Sequence, residues 1–429
     1  MSDFSLFCTI DGKIPDQYAQ HSIINLSDAN DFRFSIKQDM KDLPNTITPE
    51  GLDLLYLSMF VFAADRKIKR ELGSDNWSRN IKLIVPVLCK EKWDAQISLV
   101  IDMLNFLSGD IWSVEFYKRE PTDYEIKAEK HFARYDIQES GIDTICMFSG
   151  GLDSFVGAVD LLTVTKEAYF VSLYGGGKGT KPYQDVLINA ISEAYGIDKS
   201  LFYQYYAVKI DGEEDSTRTR SLMFFGHAVA VASCLRRHVT LVIPENGLIS
   251  LNIPLTYSRL GSSSTRTTHP YYMGLLQKLI VGLDIEVELC NPYQFNTKGE
   301  MMIECKDQPF LKTNYCYTMS CSHPDNERHY KRPPCHCGIC LPCLVRRAAI
   351  FRAGLADAST YKDSSFSGSP TAKILLNSYK IAVTKFKPQY SFLDIQNAGP
   401  ITSNVDQYAA LYTRGMNELT AFLEAIHAI

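Results

Sequence analysis

Through residues 141–290 the chain repeats one pattern: a short continuous apolar run, a loop, then a longer stretch with apolar positions at helical spacing. The runs fall at 144–148, 168–174, 201–208, 239–243 and 285–290. The amphipathic stretches begin near Ser154 and Pro182 and then cover 221–237 and 269–282. Alternation of this kind predicts an α/β fold with a doubly wound, mostly parallel sheet and ligands at the carboxyl ends of its strands. Each loop after a strand is then a wall of a candidate site. The second strand is followed by Gly175, Gly176, Gly177, Lys178 and Gly179. The third is followed by Glu213, Glu214, Arg218 and Arg220, and the fourth by Glu245, Asn246 and Gly247.

Residues 1–140 read as an added α/β region, with a helix over 52–70, a strand over 81–87, a helix near 93–107 and an alternating strand at Trp112, Val114 and Phe116. The charged stretch 118–130 reads as a connection. The division expected is therefore 1–140, 141–310, a cysteine-rich 311–350 and a helical 351–429. In the last, Ala409, Leu411, Leu419, Phe422 and Ile426 mark a tail helix packed on the body. Segment 248–268, with eight Ser or Thr residues from Thr256 to Thr268, reads as a lid.

A length of 429 residues suggests two or three domains, and 45% hydrophobic with 22% charged residues is a globular balance. The net charge of -5 sets aside a general affinity for nucleic acid, and the pairs Arg236-Arg237 and Arg346-Arg347 read as solvated or salt-bridged. No apolar run is long enough to cross a bilayer and no signal segment opens the chain, so a cytoplasmic protein with no membrane partner is expected. In a reducing compartment, seven of twelve cysteines crowded between Cys305 and Cys343 point to metal ligation.

The chemistry begins at Ser149, Gly150, Gly151, Leu152, Asp153 and Ser154, between a strand and a helix. Two glycines let main-chain N–H groups approach a polyanion, the helix start adds favourable dipole, and both serines can donate to phosphate. A carboxylate beside phosphate must hold Mg2+ or order the loop, so Asp153 takes one of those roles. No GxxxxGK[ST] lysine is present, which favours cleavage between the α and β phosphates of ATP. Further on, Cys337, Cys340 and Cys343 with the separated Cys321 can close a tetrahedral zinc site. Cys316, Cys335, His323 and His336 are surplus. An iron–sulfur cluster is the rival filling and a redox dithiol a weaker one.

Residues 149–154 resemble the SGGxDS signature of the PP-loop ATP pyrophosphatases. Followed by Thr318, Ser320, Cys321 and then His336, Cys337, Gly338, Cys340, Cys343 and Arg346, they resemble the QueC family of 7-cyano-7-deazaguanine synthases over about residues 141–350. The resemblance implies ATP held by Phe148, Ser149, Gly150, Gly151, Leu152, Asp153, Ser154 and Tyr174, with a structural zinc. It also implies adenylation of a 7-deazaguanine carboxylate with release of AMP and pyrophosphate. Lys178, Arg220 or Arg266 then offset charge at that carboxylate, Asp153, Lys178 and Arg220 being the catalytic candidates. Glu245, Arg259 and Arg266 are the substrate candidates, Glu245 reading a purine-like edge. Three departures stand out: fifteen residues between Cys321 and Cys337, no acid-rich loop after the fourth strand, and added regions at both ends. They look more like the enlarged QueC-like proteins of bacterial antiphage operons, the QatC type. Two rivals accompany this expectation, conjugation of the acid to an amine of a partner protein and a non-catalytic nucleotide-binding module. Transfer of sulfur to tRNA is ranked low, because Cys146 lies in a strand and the other cysteines are clustered.

Overall fold

The structure, a computed structural model, describes residues 4–73, 75–134, 141–175, 179–215, 218–255, 266–325 and 331–429. Among them ten strands form two sheets. The first region supplies β1 (Phe4–Thr9), β2 (Ser22–Asn25), β3 (Phe32–Phe34), β4 (Asn80–Val87) and β5 (Ile111–Lys118). Four of these make an all-parallel sheet in the order β2-β1-β4-β5, and β5 turns Trp112, Val114 and Phe116 inward as its alternation predicts. β3 leaves that sheet and joins the other.

The larger sheet is built from β6 (Thr144–Met147), β7 (Tyr169–Tyr174), β8 (Phe202–Lys209), β9 (Val239–Val242) and β10 (Val287–Cys290). These five are parallel, in the order β10-β9-β6-β7-β8, and β3 closes the far edge antiparallel to β8. The chain enters at β6, winds outward through β7 and β8, then returns to β9 and β10 on the other side. The strand order therefore reverses between β6 and β9, where open α/β sheets bind ligands.

Between the two sheets lies the helix Pro49–Lys67. Thr48 caps it by accepting from the Gly51 N–H, Pro49 opens it, and every residue from Gly51 to Asp65 is buried. A helix buried all round belongs in a core. It runs along the helix Arg220–Ser233, where Ser58 fits against Gly226. One apolar core accordingly includes Leu6, Leu83, Phe60, Phe225 and Leu279, spanning both sheets. A second covers the opposite face of the larger sheet with the helix Leu152–Leu162, and a third joins the helices Leu341–Arg352, Pro370–Lys385 and Val405–Ala425. The tail helix is thus packed on the body, with Leu411, Leu419 and Phe422 buried.

Four local expectations change. The helix expected over 93–107 is two, Lys90–Ala95 and Ile97–Ser108, broken at Gln96. The charged stretch 118–130 contains a helix, Asp123–Phe132, started by a capping box of Thr122 and Glu125. β1 to β3 fall where no strand was expected. The first part of the expected lid is core: Leu248, Leu251, Ile253 and Leu255 are buried in the third cluster, and only 256–265 lies outside the described residues. No described helix is long and apolar enough to cross a membrane.

Candidate nucleotide site and metal centre

The loop after β6 is held open from several sides. The Phe148 N–H donates to Val171 O at 2.7 Å and its carbonyl accepts from Ser172 Oγ at 2.6 Å, while its ring packs edge-on against Phe170 and Phe202. Phe148 and Leu152 are core residues that support the loop. Ser149 is exposed, and its Oγ lies 3.0 Å from Ser154 Oγ and accepts from the Gly151 N–H at 3.3 Å. Gln184 donates to Ser149 O at 3.0 Å. Gly150 has φ +82°, and a Cβ there would sit 2.9 Å from Gln184 Cγ, so both conformation and space demand glycine.

Asp153 faces away from the exposed serine. It is 6% exposed; its Oδ2 accepts from Asn246 Nδ2 at 2.7 Å and from the Asn246 N–H at 3.2 Å, and its Oδ1 lies 2.6 Å from Lys298 Nζ. Asn246 caps the turn Gly247–Ser250 and also donates to Glu245 Oε1 at 3.1 Å. The group bridges β6 and β9, where the strand order reverses. Burial raises the Asp153 pKa, but Lys298 and the hydrogen bonds of Glu245, Lys298 and Asn246 outweigh it and hold the carboxyl below its usual range. Glu245 moves the other way, pushed well up by burial and then by the Asp153 charge. One carboxylate and one carboxylic acid side by side is the expected state of such a pair. Of the two roles the sequence allows Asp153, these contacts are those of loop ordering. Its Oδ2 is taken by Asn246, and its Oδ1 faces the Lys298 ammonium.

Cys321, Cys337, Cys340 and Cys343 bring their sulfurs within 4.8 Å of one another, with Cys321–Cys340 at 4.0 Å and Cys337–Cys343 at 3.9 Å. A tetrahedral ion with metal–sulfur bonds of about 2.3 Å spaces its ligands at about this distance, so the set can hold zinc. It leaves no room for the multi-atom core of an iron–sulfur cluster. Main-chain N–H groups of His323 and Cys337 point at the Cys321 sulfur, and that of Cys340 at Cys337, which favours thiolates. Gly338 makes the turn at φ +85° with Asp363 O against its α-carbon. His336 is no ligand: its Nε2 lies 3.1 Å from Thr318 O.

The two motifs are one structure. The Met319 N–H donates to Gly150 O at 2.8 Å, and Ser320 Oγ accepts from the Leu152 N–H at 3.2 Å. Arg346, wholly buried on the helix that starts beside Cys343, donates to Thr318 Oγ1 at 2.5 Å and Tyr315 O at 2.8 Å. The cysteine centre therefore braces the glycine loop directly.

The remaining candidates divide. Arg220, half-buried in the first turn of its helix, reaches to 3.9 Å from where a Cβ on Gly175 would lie, beside the end of β7. Tyr174 is half-buried beneath Lys181 Nζ, 5.4 Å from the ring centroid. Arg266 is engaged elsewhere, donating to Phe106 O at 2.9 Å and stacked over that ring. Lys178 and Arg259 lie outside the described residues. The sequence expectation missed Lys298 and Gln184, and gave Asn246 only as part of a loop wall. Lys298 was findable, because Thr297 and Glu300 form a capping box that starts a helix just past β10.

No protein-family model matches the chain. Over 88 residues, 20% of its length, it is 33% identical to the 7-cyano-7-deazaguanine synthases of Brucella ovis, Brucella canis and Brucella melitensis biotype 2. The match covers 33% of those proteins, so the chain spans about a third of the length of the curated relatives it matches. It supports a relationship to synthases of this kind.

Proposed function

We propose that this protein is an ATP-consuming synthase of the QueC kind that adenylates a 7-deazaguanine carboxylate and releases AMP and pyrophosphate. The observation that carries the reading is the direct bonding of the glycine loop to the Thr318–Cys321 strap of a four-cysteine centre, the two motifs that the resemblance joins. ATP supplies the leaving group that activates the acid. Ser149 and Ser154, at the start of the helix Leu152–Leu162, would receive its phosphates, and Mg2+ would arrive with the nucleotide. Asp153, tied to Lys298 and Asn246, keeps the loop open across β6 and β9. Arg220 would offset charge on the carboxylate of the acid at the end of β7. Zinc at the cysteines would be structural.

The enlarged form favours an antiphage-operon relative over the housekeeping enzyme. Its first and last regions are built into the site, through the anchoring of the Arg220 helix and through Glu418, which accepts from the Thr297 hydroxyl beside Lys298. For the same reason a partner-protein amine is the second acceptor to test after ammonia; an adduct of acid less water on that protein would reveal it.

The decisive assay is AMP and pyrophosphate release from ATP and Mg2+, with and without 7-carboxy-7-deazaguanine, in wild type and Asp153→Ala. Release that depends on the acid and is lost in the variant is expected. ATP binding with no release under any acceptor would leave the nucleotide-binding module.

A further inference from the structure

The loop that follows β8 is bound along the end of the central helix. The Glu214 N–H donates to Arg66 O at 3.0 Å, and its carboxylate accepts from the Arg70 N–H at 2.9 Å. Arg218, 4% exposed, donates to Ser108 O at 2.6 Å and lies over Trp77. Thr219 is wholly buried; its hydroxyl donates to Asp65 Oδ2 at 2.9 Å and its N–H to the same oxygen at 3.4 Å. The next residue is Arg220.

Asp65 is itself fixed from behind. Its Oδ1 lies 2.6 Å from Arg79 Nη2 and 3.5 Å from Arg70 Nη2, while Asp110 holds the same two guanidinium groups at 2.7 and 3.0 Å. All four side chains are buried. Arg220 receives no comparable clamp: among the described residues its guanidinium takes part in no hydrogen bond or ion pair, with only the charge of Asp325 near enough to offset its burial. The network thus fixes the point where the helix begins and leaves the cation just beyond it for a ligand.

We propose that Thr219 and Asp65 are positioning residues for Arg220, so that residues 1–140 set where this guanidinium meets an oxyanion at the carboxyl end of β7. The inference rests on the proposed role of Arg220 and goes beyond it, giving the added region a part in the site. A long cation on a free loop samples many positions, whereas a helix start clamped to a buried carboxylate presents it in one. The oxyanion is a phosphate of the nucleotide or the carboxylate of the acid.

Asp65→Asn would strip Arg79 of a buried counter-charge and endanger the fold, so the working variant is Thr219→Val, which keeps shape and leaves the arginine network alone. Pyrophosphate and 7-carboxy-7-deazaguanine are titrated separately by calorimetry into full-length wild type, Thr219→Val, Arg220→Ala and the double variant. Thr219→Val is expected to weaken one of the two ligands by about tenfold and to add nothing in the Arg220→Ala background. The ligand affected says which oxyanion is held. Equal losses in both backgrounds, unchanged affinity for both ligands, or wild type that binds neither would each overturn the proposal. Wild type that binds, but releases no AMP with the acid, would remove only the proposed reaction.

Discussion

Two strand-to-helix turns pose the same backbone problem and meet it in opposite ways. After β4, the N–H groups of Leu88 and Cys89 at the start of the helix Lys90–Ala95 both donate to Asp53, at 2.8 and 2.9 Å, joined by Trp93 Nε1 at 3.1 Å. Asp53 is fully buried on the central helix, so the turn carries its own anion. After β6, the nearby carboxylate of Asp153 points to Lys298 and Asn246, Ser149 is exposed, and hydroxyls of Ser149 and Ser320 take the Gly151 and Leu152 N–H groups. A parallel strand running into a helix is thus not a site in itself. What differs is whether the chain fills the position with its own carboxylate, as Asp53 does, or with neutral hydroxyls beside an exposed serine.

The largest test breaks the support of the open turn. Wild type is expected to contain about one zinc per chain, and Cys337→Ser or chelation should cost several kcal/mol and abolish ATP binding, since the strap from Thr318 to Cys321 touches the loop. Metal analysis with nucleotide titration checks both halves. At the closed turn, Asp53→Asn should cost about 3 kcal/mol in urea unfolding while the folded fraction binds ATP as wild type does. A comparable loss of ATP affinity in that variant would end the contrast between the turns.

A smaller effect concerns the brace behind Lys298. Burial pushes Glu418 up to about 7 from 4.5, against the opposing hydrogen bond of Thr297. A carboxyl raised on folding contributes stability that is whole below the unfolded pKa and lost as pH rises through the folded one. Relative to Glu418→Gln, wild-type stability should fall by about 2.5 kcal/mol between pH 4.5 and 7 and level off about one pH unit higher, as unfolding titrations across that window will show. The smallest effect is local. Gly150→Ala forces a side chain into φ +82° against Gln184, and should weaken ATP about tenfold while costing about 1 kcal/mol of stability.

Much of the larger sheet was legible because its strands are continuous apolar runs and its loops carry the polar residues. The four-cysteine cluster was legible too, since overlapping C-x-x-C spacing brings three sulfurs together and Cys321 shares its motif with a residue of the loop's brace. Partnerships between distant residues were not. Nothing local to Lys298 announces Asp153, and nothing in the five-residue spacing of Asp65 and Arg70 announces Asp110 or Thr219; such pairs exist only once strands return across the sheet. Segment 248–255 misled because its serine-rich continuation hides four core positions.

The antiparallel strand β3 has a consequence for how the molecule comes into being. Phe32, Arg33 and Phe34 leave the ribosome early, but they pair with Lys209, Val208 and Ala207, which are made much later. Until then β3 has no partner strand, and the central helix waits likewise for the Arg220–Ser233 helix that covers it. This region, made before the elements it pairs with, is therefore completed only after them, and a nascent chain halted before β8 would present bare apolar surface to chaperones or to its own copies.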